Sequence, residues 1–298
     1  MDRGHNRNRR AIGVGVILAV SLLTSGCATP GPKLSQDLAG LRTGVVATRE
    51  QARLSIDSAN KLAREQAIEF KLDSPAVALA ESDFPLAVDR ADAEAWNAAF
   101  GALDAYAATL QSLVDPARGA ATGDALASLG QQLNTGPLHA GLPASVSGAF
   151  AAFGGALVQA RAEKTAAAAM VRVDPAFQTV MAAMADGIGA DDSKGLRLTV
   201  RSNWAAALAR LRVAYAEKPP SDRAARRAAI GQFLAAVDAR DAQLANLAGL
   251  RMSLLSLGRA HAEIAAGKPV AAQVWIDRAH SILDDVRRRI GDAGKAAP

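Results

Sequence analysis

The sequence predicts an all-α protein, an elongated antiparallel bundle of about six to eight helices, and three observations carry that reading. Half of the 298 residues are apolar but only 4% are aromatic, and alanine dominates the apolar count. Alanine has the best helix propensity and little bulk, so such a composition favours closely approaching helices over sheets. Prolines punctuate long proline-free stretches at 33–74, 86–115, 144–174, 176–218 and 221–268, lengths that suit helices. Within them apolar residues recur at alternating spacings of four and three, with no comparable period-two run.

The chain opens on a segment of a different kind. A basic stretch ends at Arg10, and Ala11 to Leu23 follow without a charge. Thirteen residues make a helix of roughly 20 Å, short of the ~30 Å hydrocarbon core of a bilayer. Residues 1–26 therefore read as a signal peptide, not a permanent span. The small residues Thr24, Ser25 and Gly26 lead into Cys27, the only cysteine in the chain. One thiol allows no internal disulfide, and an unpaired cysteine in an exported protein calls for another use of the sulfur.

The run Leu23-Thr24-Ser25-Gly26-Cys27 resembles the lipobox of bacterial lipoproteins. It departs from the preferred pattern at Thr24, where that class favours leucine. The resemblance implies diacylglycerol on the Cys27 sulfur, cleavage before Cys27, and a third acyl chain on the new amino group. It also implies a sorting rule in which Ala28, in place of aspartate, directs the protein to the outer membrane. The expected address is the periplasmic face of that membrane. Two or three acyl chains anchor durably where a single chain does not.

Residues 27–33 are expected to form the lipidated cysteine and a flexible tether, because two prolines and a glycine oppose helix there. Residues 34–292 form the expected bundle, and 293–298 a disordered tail. Leu34, Leu38, Leu41 and Val45 share one face of a first helix. Trp96, Phe100, Leu103, Ala107, Leu110 and Val114 do so in a second. Residues 116–143 are rich in glycine, alanine and proline, with room for a short helix near Asp124 to Leu133. Val146, Phe150, Phe153 and Leu157 mark another face, and Val200, Trp204, Leu208, Leu211 and Tyr215 the next. The longest candidate runs from about Asp222 to Ala266, with Gly267 as a left-handed cap and Pro269 opening the last helix. In that helix Trp275, Ala279, Ile282, Val286 and Ile290 are expected to face inward.

Charge excludes one class of partner. Residues 1–26 carry +3 of the chain's +5, which leaves the mature part at +2, too mild for nucleic acid. Residues 27–150 stand at −5 and 151–298 at +7; solvated helix faces are the plain reading, and the alternatives are that the halves attract when packed or that the basic half faces an anionic partner.

No catalytic signature is present: no Gly-x-Ser-x-Gly elbow, no phosphate-binding loop, no His-Glu-x-x-His pair. Gly187-Ile-Gly189 lacks a third glycine and a preceding strand. After processing the histidines are His139, His261 and His280. Asp277, His280 and Asp284 sit at i, i+3 and i+7, the spacing a metal site would need, but Arg287 and Arg288 continue that face and read as surface pairing. No metal or cofactor is expected. His261 lies beside an apolar seam, where a hydrogen-bonded histidine is the plain reading. Trp96, Trp204 and Trp275 are expected to pack in the core instead of forming an aromatic box. Arg287-Arg288-Arg289 complements a helix C-terminus.

The expectation is a membrane-anchored, non-catalytic envelope lipoprotein, serving as scaffold, adaptor or accessory subunit to an envelope protein partner. The alternatives are a binding protein holding a lipid or wall fragment between helices, with Gly154-Gly155 leaving room, and an envelope hydrolase. For the hydrolase the adjacent acids Asp191-Asp192 and Asp284-Asp285 are the candidates.

Overall fold

The structure, a computed structural model, describes residues 32–72, 78–114, 119–135 and 142–296. Among them are eight α-helices and no strand: α1 Pro32–Leu72, α2 Arg90–Ser112, α3 Gly119–Thr135, α4 Ala144–Gln159, α5 Ala166–Ile188, α6 Gly195–Ala216, α7 Arg223–Ala265 and α8 Pro269–Ala296. Short 3₁₀ turns at Glu81–Asp83 and Ala160–Ala162 precede α2 and α5. The chain is an all-α helical bundle.

The helix ends follow the local chemistry. Asp89, Thr165 and Asp222 cap α2, α5 and α7, each side chain accepting from a backbone N–H three residues on. Gly267 has φ 69°, the left-handed conformation that closes α7, and Pro269 opens α8 at the position where a missing N–H costs nothing. Pro32 plays the same part for α1, so helix begins two residues earlier than the expected tether allows. At the other end α8 runs to Ala296, into the stretch expected as a disordered tail, since nothing before Pro298 stops it.

Two expected stretches divide differently. Pro175 lies inside α5 rather than between helices. It points to solvent, as does Val171, whose carbonyl is the one left without its helical donor and open to water. The breaks fall instead at 160–165 and at 189–194. At the second, Gly189 (φ 112°) and Gly195 (φ 57°) reverse the chain in conformations that a side chain would strain.

α7 is the axis. It pairs with α8 as an antiparallel hairpin and packs against α5, α6 and α1 as well. Gly40 meets Ile276 and Gly44 meets Leu257 and His280, so α1 runs parallel to α8 and opposite to α7. The helices α2 to α5 form a second group, joined to the first through α2 on α1 and α5 on α7. The predicted seams of α2 and α4 are buried, with Val146, Phe150, Phe153 and Leu157 fully so, except that Val114 lies past the end of α2 and is half-buried. On α8 the inward set is Ala272, Ile276, Ala279, Leu283 and Val286, while Trp275 and Ile282 flank it half-buried. The seam is rotated because two neighbours, α1 and α7, share it and the sequence pattern assumes one.

Glycine lets backbones touch elsewhere. A Cβ on Gly154 would lie 2.7 Å from the Gly130 carbonyl oxygen, and one on Gly130 would lie 2.5 Å from that of Gly154. Gly154 thus closes the α3–α4 contact and leaves no room there, contrary to the expectation for it, whereas a Cβ on Gly155 would meet nothing within 4 Å. Gly130→Ala is expected to destabilise by about 1–3 kcal/mol, as overpacking does, through separation of the two helices. A melting temperature equal to the parent's would show that α3 can shift freely.

Candidate functional site

Cys27 and His139 lie outside the described residues. α1 begins five residues after Cys27 in the sequence, and its start lies at the end of the bundle that also carries the Gly267 turn.

The predicted constellation on α8 does not converge. Asp277 is exposed and accepts from Gln273 at 2.7 Å, and Asp284 is exposed and bridged to Arg287 at 3.2 Å. His280 turns toward Gly44 of α1, half-buried, with Nε2 lacking a hydrogen-bond partner. No group of three potential metal ligands exists among the described residues. The acid pairs are engaged as well: Asp191 accepts from the Ser193 backbone, Asp192 bridges Arg197, and Asp284 and Asp285 bridge Arg287 and Arg288. Nor do the tryptophans meet. Trp96 is buried beside Gly187, Trp204 donates to Gln243 at 2.6 Å, and Trp275 lies under Arg278.

The densest polar arrangement is one the sequence only hinted at. His261 is fully buried, with Nδ1 2.7 Å from Asp174 and Nε2 2.8 Å from the Tyr106 hydroxyl. Burial presses His261 below the ordinary histidine value, although Asp174 works against this. Burial also raises Asp174, but hydrogen bonds from His261 and Gln178 outweigh it and hold the carboxyl below its usual range. An ionised Asp174 makes Nδ1 the donor, so Nε2 accepts from Tyr106 and the ring is neutral. Tyr106 is raised well above its usual value by burial and by Asp174, so it stays protonated.

Phe177 stacks on His261 with centroids 4.1 Å apart, and Phe153 meets Tyr106 edge-on at 5.2 Å. Gln178 donates to Asp174 and to the Gly258 carbonyl, which closes the network against α7. Tyrosine and histidine have no exposed surface, so no substrate reaches them; the chain ties α2, α5 and α7 together. His261 was legible as a hydrogen-bonded core residue. Tyr106 and Asp174 were missed, and the only hint of Asp174 was an acid one residue before a proline in a helical run.

Two surfaces remain open. A cleft of about 300 Å³ lies between α1, the start of α2 and the α5–α6 turn, lined by Ile56, Asp92, Trp96, Ile188, Leu196 and Thr199 among others. Burial, with Asp89 nearby, raises the Asp92 carboxyl. The second surface is the α6–α7 hairpin. Between residues 209 and 235 only Ala229 is buried, and Arg210 at its base donates to the Gln66 carbonyl of α1 at 3.3 Å, so beyond that contact this part faces solvent. Val213 (60% exposed), Ile230 (47%) and Leu234 (55%) face solvent. Arg226 and Arg212 lie over the rings of Tyr215 and Phe233, 4.3 and 5.5 Å from their centroids. Leu211, Tyr215, Ile230 and Phe233 line a shallow groove of about 350 Å³. The segment carries six basic residues and two acids.

No helix among the described residues is long and apolar enough to cross a membrane. No family model, no curated protein and no solved structure matches the chain.

Proposed function

We propose that the protein is a lipid-anchored envelope adaptor, held to a membrane through acylated Cys27 and presenting its α6–α7 hairpin to a partner protein. The observation that carries this reading is the polarity of the bundle. The start of α1 and the Gly267 turn share one end, while the apolar, basic hairpin tip stands at the other. α7 spans the distance: its 43 residues reach about 65 Å at 1.5 Å each. An anchor a few residues before α1 would therefore let the tip reach up to roughly 60 Å from the bilayer. Exposed aliphatic residues beside arginines on a helical hairpin suit contact with a partner helix that is apolar on one face and acidic at its rim. The role is structural and not catalytic, and the address is the periplasmic face of the outer membrane.

Two measurements test the two ends separately. Cys27→Ser should move the protein from the membrane fraction to the soluble one; retention after a salt wash would remove the lipid from the account. A photo-crosslinking residue at Ile230 should capture a protein partner in the native envelope, whereas one at Val270, which is more exposed but at the anchored end, should not. Equal capture at both positions, or none at Ile230, would dismiss the hairpin as the docking end.

A further inference from the structure

We propose that the cleft between α1, α2 and the α5–α6 turn is a binding site for a small organic cation, an amine on a compact apolar body. The inference is independent of the anchor and of the hairpin.

Its lining sets the ligand's chemistry. Ala52, Ile56, Val88, Ile188, Leu196 and Leu250 supply apolar walls, and Trp96 supplies an aromatic one. Among the described residues the sole ionisable group in the lining is Asp92, and none of them brings a basic side chain to it. Asp92 makes no side-chain hydrogen bond or ion pair among the described residues; only its backbone N–H is used, donating to Asp89.

A single unpaired carboxylate in an apolar recess selects by charge. A cation offers it a charge-assisted hydrogen bond and gains from the tryptophan face. A neutral ligand of the same shape would remove the carboxylate from water without replacing its partners, and an anion would add repulsion. Asp92 itself is half-buried at the rim of the cleft, where a ligand ammonium can reach it, and burial raises its carboxyl.

The site is preformed. Gly187 sits so close to Trp96 that an added Cβ would lie 3.0 Å from the indole, which holds the ring in place. The positive φ angles of Gly189 and Gly195 fix the turn that forms one wall. A volume of about 300 Å³ is at the small end of ligand pockets, which limits the occupant to one ring or a short branched chain.

The test is titration of the purified full chain with benzylamine, benzyl alcohol and benzoate, followed by calorimetry and by tryptophan fluorescence. Benzylamine should bind saturably, with a Kd of about 1 mM for so small a probe. Benzyl alcohol should bind at least ~10-fold more weakly and benzoate not at all. Asp92→Asn should bring benzylamine to the level of the alcohol. Leu196→Trp, which fills the cleft without touching the carboxylate, should abolish both, with melting curves showing each variant folded. Equal affinities for amine and alcohol, unaltered amine binding in Asp92→Asn, or no saturable amine binding would each overturn the proposal.

Discussion

Tyr106→Ala is expected to lower the free energy of unfolding by about 3–5 kcal/mol, as aromatic-to-alanine changes in a packed core do. The ring is fully buried and touches Phe153, Phe177 and His261. Its loss leaves a cavity at the point where α2, α5 and α7 meet, and none of the three can close it alone. Tyr106→Phe isolates the hydroxyl. The phenyl ring still fills the space, but His261 Nε2 then faces an apolar core without a donor, a cost of about 1–3 kcal/mol. Adding His261→Leu to Tyr106→Phe should recover part of that loss. Asp174, its side chain about 25% exposed, can turn to water for the bond it no longer receives. Denaturant unfolding of the four proteins measures these differences. Tyr106→Phe as stable as the parent would mean that the 2.8 Å contact contributes nothing.

Much of the architecture was legible because helices announce themselves locally. The four-and-three spacing from Trp96 to Leu110 became a buried face, and Asp222, Gly267 and Pro269 marked the ends of α7 and the start of α8. Local rules failed where tertiary context overrode them. Pro175 read as a boundary, yet it is carried on the solvent side of α5, where a lost hydrogen bond costs least. Gly154 read as spare room but is a backbone contact, since periodicity cannot say which helix lies opposite. The polar network was illegible for the same reason. Tyr106 stands 155 residues from His261, and Asp174 stands 87. Only the packing of α5 and α2 against α7 brings them together. The sequence also showed a basic half without showing where the charge collects: much of it stands on the outer end of α6–α7.

Lowering the pH from 7.5 to 5.0 is expected to destabilise the protein, and His261→Gln is expected to shrink that loss. The sign follows from proton uptake. His261 is pressed below its ordinary value of 6.5, chiefly by burial, so the folded protein keeps it neutral. As pH falls through 6.5 the unfolded chain takes up this proton and the folded one does not, and stability drops until the folded group titrates. Asp174, net lowered, acts in the same direction only below about 3.8, where unfolded carboxylates protonate first. Asp37 and Asp92, raised mainly by burial, act in the opposite sense: they take up protons in the fold at pH values above 3.8 and offset part of the loss. Comparing variants is therefore the informative measurement, because the Asp37 and Asp92 contributions are common to both proteins and cancel, while glutamine keeps a hydrogen bond to Asp174 in place of that from His261. Glutamine has a donor and an acceptor at the end of its side chain and does not titrate, so it removes the proton uptake while keeping polar contact with Tyr106 and Asp174. Thermal melts of the two proteins across this range decide the matter. The difference in melting temperature should narrow as pH falls through 6.5, and parallel curves would assign the acid sensitivity to groups other than His261.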